Sequence, residues 1–344
     1  MRLLVLMAFC FCQSVFAAVQ VQLNEPLIEQ SNQAFVEYYR QQLGTTQSCS
    51  TAYKQRTQVC SGVLRNEGNG PYILHHGQVT DWVVVLFHGL SDSPFYLRSV
   101  ADGLHDMGVT VVVGLLPGHG LQDADQDMQD PNLADRWVSG VQKVVEISRP
   151  MGRKLMVGGF STGATLATHF ALMNSDIVDG LLLFSGAFLL SDNAERMTRI
   201  WGMQTIAKWI DGDYLIDNPN PYKYPKVALY AVWELMEIIR QVRSITANQA
   251  ITIPTFAAHS MSDVTTPFTG VEILLEGSSA AHSLFLIDES YALCHGDLPL
   301  NENQVQQIAY QAPVNELIEL CSVPDANPLH SRMMDTLINF IKQQ

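Results

Sequence analysis

Apolar residues in this chain gather into short unbroken runs. Trp82 to Phe87, Val109 to Leu115, Arg153 to Gly158, Gly180 to Phe184, Ile253 to His259 and Ser283 to Ile287 each have the length of a strand. A run that is apolar at nearly every position suits a strand covered on both faces, as in a parallel sheet. Between these runs the period changes. Ala164 to Met173 reads as a small-residue helix, Met333 to Ile341 as an amphipathic one, and Pro26 to Leu43 as a leading helix that packs on the body. Val227 to Ile239 is apolar on nearly all sides. Strands alternating with helices predict an α/β protein.

The first residues follow a different pattern. Met1-Arg2 gives a positive start, Leu3 to Phe11 an apolar stretch, and Ser14-Val15-Phe16-Ala17-Ala18 small residues for a processing protease. This predicts a secretory signal peptide over 1–18, cut after Ala17 or Ala18. A lipoprotein would need a small residue before the cysteine, and Phe9 before Cys10 and Phe11 before Cys12 do not meet that need. No other stretch approaches the ~20 apolar residues of a membrane span, so none is expected in the mature chain. The expected location is the periplasm or the exterior.

Export changes how the cysteines are read. Cys10 and Cys12 leave with the signal, and Cys49, Cys60, Cys294 and Cys321 remain. Four cysteines in an oxidising compartment allow three pairings, or none if the thiols stay free. Cys49 with Cys60 and Cys294 with Cys321 is the pairing in which each bond closes a local loop.

The most informative chemistry lies at Gly159-Phe160-Ser161-Thr162-Gly163, between a strand run and a helix run. A serine on so sharp a turn is forced into strained backbone angles and held out above the sheet edge, and the flanking glycines allow strand and helix to approach. Serine alone is a weak nucleophile, so this reading requires a base, an acid and donors for an oxyanion. The run Trp82 to Phe87 ends in His88-Gly89-Leu90-Ser91, a turn that exposes backbone N–H groups toward the elbow. In the α/β-hydrolase arrangement that this order resembles, the N–H groups of Leu90 and Thr162 would be the oxyanion donors. His88 reads as a turn-stabilising imidazole.

The chain resembles α/β-hydrolases of the serine-hydrolase superfamily, close to bacterial carboxylesterases, monoacylglycerol-lipase-like enzymes and serine aminopeptidase-like enzymes. The resemblance rests on His88-Gly89-Leu90, Leu116-Pro117-Gly118-His119-Gly120, the helix around Trp137 and the elbow at Ser161, in that order, and covers most of residues 70 to 344. It implies a mostly parallel eight-stranded sheet flanked by helices, with a helical cap between strands six and seven. Residues 19–70 would form a leading helix and a Cys-bounded segment, 71–190 and 249–344 the core, and 191–248 the cap. The apolar Val227 to Ile239 stretch would then be cap core or the lining of an acyl pocket. His119 reads as a loop-packing residue.

The family's chain order of nucleophile, acid and histidine directs the search for partners. The acid expected after a late strand is Asp263, with Asp192 after the sixth strand as the competitor. Asp263 before Thr and Pro also has the form of a turn aspartate. The base expected after the eighth strand is His295, with His330 at the start of the last helix as its rival. His75 and His76 read as surface residues. The function implied is cleavage of carboxylic esters through an acyl-enzyme, without a cofactor. Lysophospholipase, acylglycerol lipase, thioesterase and peptidase activities share that machinery, and a non-catalytic binding protein on the same fold is the reading of another class.

Composition adds bounds. With 344 residues and 47% hydrophobic content the chain can bury a large single core. A net charge of −14 argues against a nucleic-acid or anionic-membrane partner, because phosphates attract a basic surface. No paired Cys or His spacing indicates a metal site.

Overall fold

The computed structural model describes residues 26–50, 56–200, 206, 220–224, 228–310 and 321–344. The signal peptide expected over 1–18 lies outside them, as does much of the segment expected to form the cap.

The described strands are β1 (Thr46–Gln47), β2 (Arg56–Gln58), β3 (Cys60–Ser61), β4 (Tyr72–Leu74), β5 (Thr80–Phe87), β6 (Thr110–Gly114), β7 (Gly152–Phe160), β8 (Gly180–Phe184), β9 (Thr255–Ser260) and β10 (His282–Ile287). Eight of them form one sheet in the order β10-β9-β8-β7-β5-β6-β4-β2, and β1 pairs with β3 separately. From β5 to β10 every pairing is parallel, while β4 and β2 run antiparallel at one edge. This is the α/β-hydrolase architecture expected from the sequence, and each apolar run lies within a residue or two of its strand.

The central strand explains why those runs are unbroken. Val83, Val85 and Phe87 point into one apolar cluster and Val84 and Leu86 into the other, all fully buried. Burial of each such side chain contributes about 1.5–3 kcal/mol, so a polar residue at any of these positions would be strongly disfavoured. The first cluster includes the helices Leu133–Ser148, Thr162–Met173 and Leu229–Thr246; the second includes Arg98–Asp106 and His330–Lys342. The helix over 26–43 joins the first cluster through Ile28, Phe35, Tyr39 and Leu43. Its Tyr39 hydroxyl accepts the Leu115 N–H at 2.9 Å and donates to the Leu115 carbonyl at 3.2 Å, fixing the helix to the end of β6.

Most of the apolar Val227 to Ile239 stretch lies in the helix Leu229–Thr246. Leu229–Thr246 packs against the helix that follows Ser161 and against Leu133–Ser148, burying Leu235, Ile238, Ile239 and Val242. It belongs to the helical layer of the core, where a helix covered on several sides needs apolar residues all round. Within the segment expected to be the cap, the short helix Asp192–Met197 and residues 220–224 are also described.

Candidate active site

At the end of β7 the chain reverses through Ser161, whose φ of 54° and ψ of −116° lie in a region L-residues rarely adopt. Such a backbone costs on the order of 1–3 kcal/mol and persists only where its surroundings impose it. Here the Ser161 N–H donates to the Phe184 carbonyl at 2.9 Å, and the Ser161 carbonyl accepts the N–H groups of Ala164 and Thr165 at 3.0 and 3.2 Å. A side chain on Gly159 or Gly163 would run into the Phe87 carbonyl oxygen. The glycines therefore let β5 and the helix Thr162–Met173 close on the elbow from both sides.

Three side chains meet there. His295 Nε2 lies 2.9 Å from Ser161 Oγ, and His295 Nδ1 lies 2.6 Å from Asp263 Oδ2. Asp263 Oδ1 accepts the Thr265 and Thr266 N–H groups at 3.0 and 2.9 Å, and Oδ2 accepts the Thr266 hydroxyl at 2.9 Å. The turn-aspartate role and the partner role thus coexist in one residue. Burial works to raise the Asp263 carboxyl, but the adjacent His295 and these hydrogen bonds outweigh it and hold the group below its ordinary value. An ionised carboxylate on Nδ1 fixes the proton there and leaves Nε2 as the acceptor facing the serine hydroxyl. In chemical terms the serine oxygen has a base in contact, and that base has a counter-charge.

The competitors lie elsewhere. Asp192 is exposed at the start of its helix, 3.9 Å from Arg196. His330 Nε2 is 2.8 Å from Ser99 Oγ, and burial lowers its proton affinity. Neither is brought to Ser161. His75 stays partly exposed, and the His76 and His105 rings stack 4.1 Å apart.

The loop after β5 passes beside the elbow, with Gly89 so close to the Phe160 ring that a Cβ would sit 3.1 Å from it. His88 Nε2 accepts the Leu116 N–H at 3.1 Å, and its Nδ1 faces the Gly89 carbonyl at 2.8 Å. Burial, and the neighbouring His119, push this imidazole well below its usual range. His119 Nε2 lies 2.8 Å from the Leu90 carbonyl oxygen, which fixes the peptide after Leu90. Thr162 opens the elbow helix, where the first N–H groups have no partner within the helix. On the far side of the loop the Tyr224 N–H donates to Ser91 at 2.7 Å, and Lys223 lies 3.6 Å from Asp92.

Two disulfides are present, Cys49–Cys60 and Cys294–Cys321, the pairing in which each closes a local loop. The second holds the residue immediately before His295. Ser260 Oγ donates to the Leu293 carbonyl at 2.9 Å, joining the end of β9 to the same loop. Two residues after His295, Asp297 is buried. Burial pushes its carboxyl up to about 7, against the opposing pull of the Asp325 N–H and of Lys223. Among the described residues no group of three His, Cys, Asp or Glu side chains is placed to hold a metal ion.

Sequence reasoning missed Thr266, whose second donor to Asp263 follows from the Asp-x-x-Thr spacing of a capping turn. It also missed His259 behind that turn, which looks like an ordinary strand residue.

A family model described as serine aminopeptidase, S33, matches residues 78–297, well over half of the chain. The chain belongs to this family. The match runs from just before β5 to just past His295, so every residue of the cluster falls inside it. The serine aminopeptidase family member is 24% identical over 225 residues to a thermostable monoacylglycerol lipase of Bacillus sp. (strain H-257), covering 65% of this chain and 86% of the relative. Among solved structures, one of the metagenome-derived lipolytic enzymes LipS and LipT superposes with a TM-score of 0.57 at 16% identity, covering 79% of this chain and 97% of the other. The monoacylglycerol lipase of Paleococcus ferrophilus superposes with a TM-score of 0.53 at 13% identity, over 80% and 99%. These likenesses agree on the fold. The serine aminopeptidase family member is an α/β hydrolase similar to proteins named lipases and lipolytic enzymes.

Proposed function

We propose that this protein is an exported serine esterase of the lipase type, with Ser161 as nucleophile, His295 as base and Asp263 as the acid that orients it. The observation that carries this reading is the unbroken hydrogen-bonded line from Asp263 Oδ2 through both ring nitrogens of His295 to Ser161 Oγ. Ser161 Oγ attacks the ester carbonyl carbon as its proton passes to His295 Nε2. The N–H groups of Leu90 and Thr162 hold the oxyanion. Collapse of the intermediate expels the alcohol, which takes the proton from His295 and leaves an acyl-Ser161. A water molecule then gives its proton to His295 and its oxygen to the acyl carbon, releasing the carboxylic acid and restoring the serine. The reaction needs no cofactor.

Lipid esters are the favoured substrate class, since both a sequence relative and a structural one are named monoacylglycerol lipases. Export is supported by the apolar N-terminal stretch and by the two disulfides, which persist in oxidising compartments. Among the described residues no helix is long and apolar enough to cross a membrane.

Labelling with a fluorophosphonate probe tests the mechanism. The wild-type protein is expected to react at Ser161, and Ser161→Ala to lose both labelling and turnover of nitrophenyl esters and monoacylglycerols. A wild-type protein that takes up no probe is a binding protein on a hydrolase scaffold, and the proposal fails. Turnover of aminoacyl anilides in place of esters would make it a peptidase.

A further inference from the structure

A buried imidazole stands behind the turn that carries Asp263. His259, near the C-terminal end of β9, is completely enclosed, and its Nε2 lies 2.8 Å from the Thr266 carbonyl oxygen. A carbonyl can only accept, so Nε2 carries the proton and Nδ1 presents a bare lone pair. That Nδ1 is buried without a hydrogen-bond partner. Burial keeps the ring neutral, although the Asp263 charge and the Thr266 carbonyl favour protonation. The Phe268 ring lies beside it, with ring centres 5.7 Å apart. A leucine or phenylalanine here would orphan no ring nitrogen, which is unfavourable when buried, but it would strip the Thr266 carbonyl of its donor. The imidazole gains one contact in return, its hold on Thr266.

Thr266 and its neighbour Thr265 supply the three protein donors on Asp263 besides His295. At 3.5 Å from Asp263 Oδ2, His259 Nε2 is too far for a good hydrogen bond of its own. Beside the direct attraction between ring and carboxylate, its hydrogen-bonded hold on Asp263 runs through the threonine turn. We propose that His259 is a positioning residue for the acid: by gripping the Thr266 carbonyl it aims the Thr265 and Thr266 donors at Asp263 and leaves Oδ2 oriented to accept from His295. This rests on the reading of Ser161, His295 and Asp263 given above, and it adds to that reading a second imidazole, one that never touches substrate.

The test compares His259→Phe, which keeps an aromatic ring and loses the donor, with His259→Gln, whose amide N–H can still reach the carbonyl. His259→Phe is expected to lower kcat roughly tenfold or more with little change in KM. The acid limb of its kcat/KM profile should move down, because a carboxylate no longer aimed at His295 stabilises the imidazolium less. His259→Gln should restore most of the lost kcat. A His259→Phe enzyme with wild-type kcat and an unmoved acid limb overturns the proposal. Should His259→Phe fail to fold, nitrogen-15 spectra of the histidine-labelled wild-type protein decide, with the His259 signal identified by its loss in His259→Gln. A neutral ring protonated at Nε2 is expected, and the other tautomer or a charged ring overturns the proposal. Asp263→Asn, measured alongside, separates the two readings. If it retains full turnover the acid assignment falls, whereas an inactive Asp263→Asn beside an unaffected His259→Phe sinks only the role of His259.

Discussion

The carbonyl oxygen of Phe87, at the end of β5, occupies the space that a side chain on Gly163 would need. Gly163 lies in the first turn of a helix, where alanine is intrinsically favoured by about 1 kcal/mol. The collision works the other way, since overpacking costs about 1–3 kcal/mol. Gly163→Ala is therefore expected to lower the melting temperature and to reduce probe labelling by displacing the elbow. A variant that is more stable and labels normally would show that β5 can move aside.

Asp263 and Asp192 make contrasting predictions. Asp263→Asn removes the charge that fixes His295 and should reduce turnover by orders of magnitude, roughly 10⁴-fold in the best-known serine-protease case. Asp192→Asn, altering a side chain that lies in solvent, should leave turnover unchanged. Steady-state kinetics on the two purified variants checks both.

For the histidines the readout is the reactivity of Ser161. His295→Ala should nearly abolish fluorophosphonate labelling, because an unassisted serine is a weak nucleophile. His330→Ala breaks a contact with Ser99 at the start of the last helix and should lower stability by about 1 kcal/mol while labelling continues. Loss of labelling in His330→Ala alone would move the base to the last helix.

Asp297 makes stability depend on pH. Its carboxyl is raised from 3.8 to about 7 in the folded protein, so between those values the native state holds a proton that the unfolded chain has lost. Stability from this group is complete at the acid end of that window and falls as the pH rises through it, by an amount on the order of a few kcal/mol. Lys223, Asp325 and His295 face the same carboxyl and set the size of the effect. Asp297→Asn should flatten this part of the curve in denaturant titrations from about pH 4 to 8. An identical slope in wild type and variant would mean that the carboxyl is ionised throughout.

The elements that were legible in the sequence are those in which one physical demand fixes every residue. β5 must be apolar on both faces, so Val83 to Phe87 announces it, and the elbow needs small residues two before and two after its serine. Contacts that depend on the tertiary path left weaker traces. The 18-residue helix Leu229–Thr246 is apolar because it lies in the core layer, and the same pattern would serve a helix over a substrate. His295 and His330 are both histidines beyond the last strand, and only the course of the loop brings one to Ser161. His259 gave no signal, since its function lies in a carbonyl seven residues further along the chain.

The Tyr39 hydroxyl treats Leu115 as a neighbouring strand would, accepting from its N–H and donating to its carbonyl. The family resemblance draws a boundary near residue 71, but this contact and the burial of Phe35 on the same helix cross it. The hydrolase body is therefore not excisable at that point. A chain begun at residue 71 would leave the peptide beyond β6 unpaired and uncover a greasy flank of the core, a surface that invites aggregation.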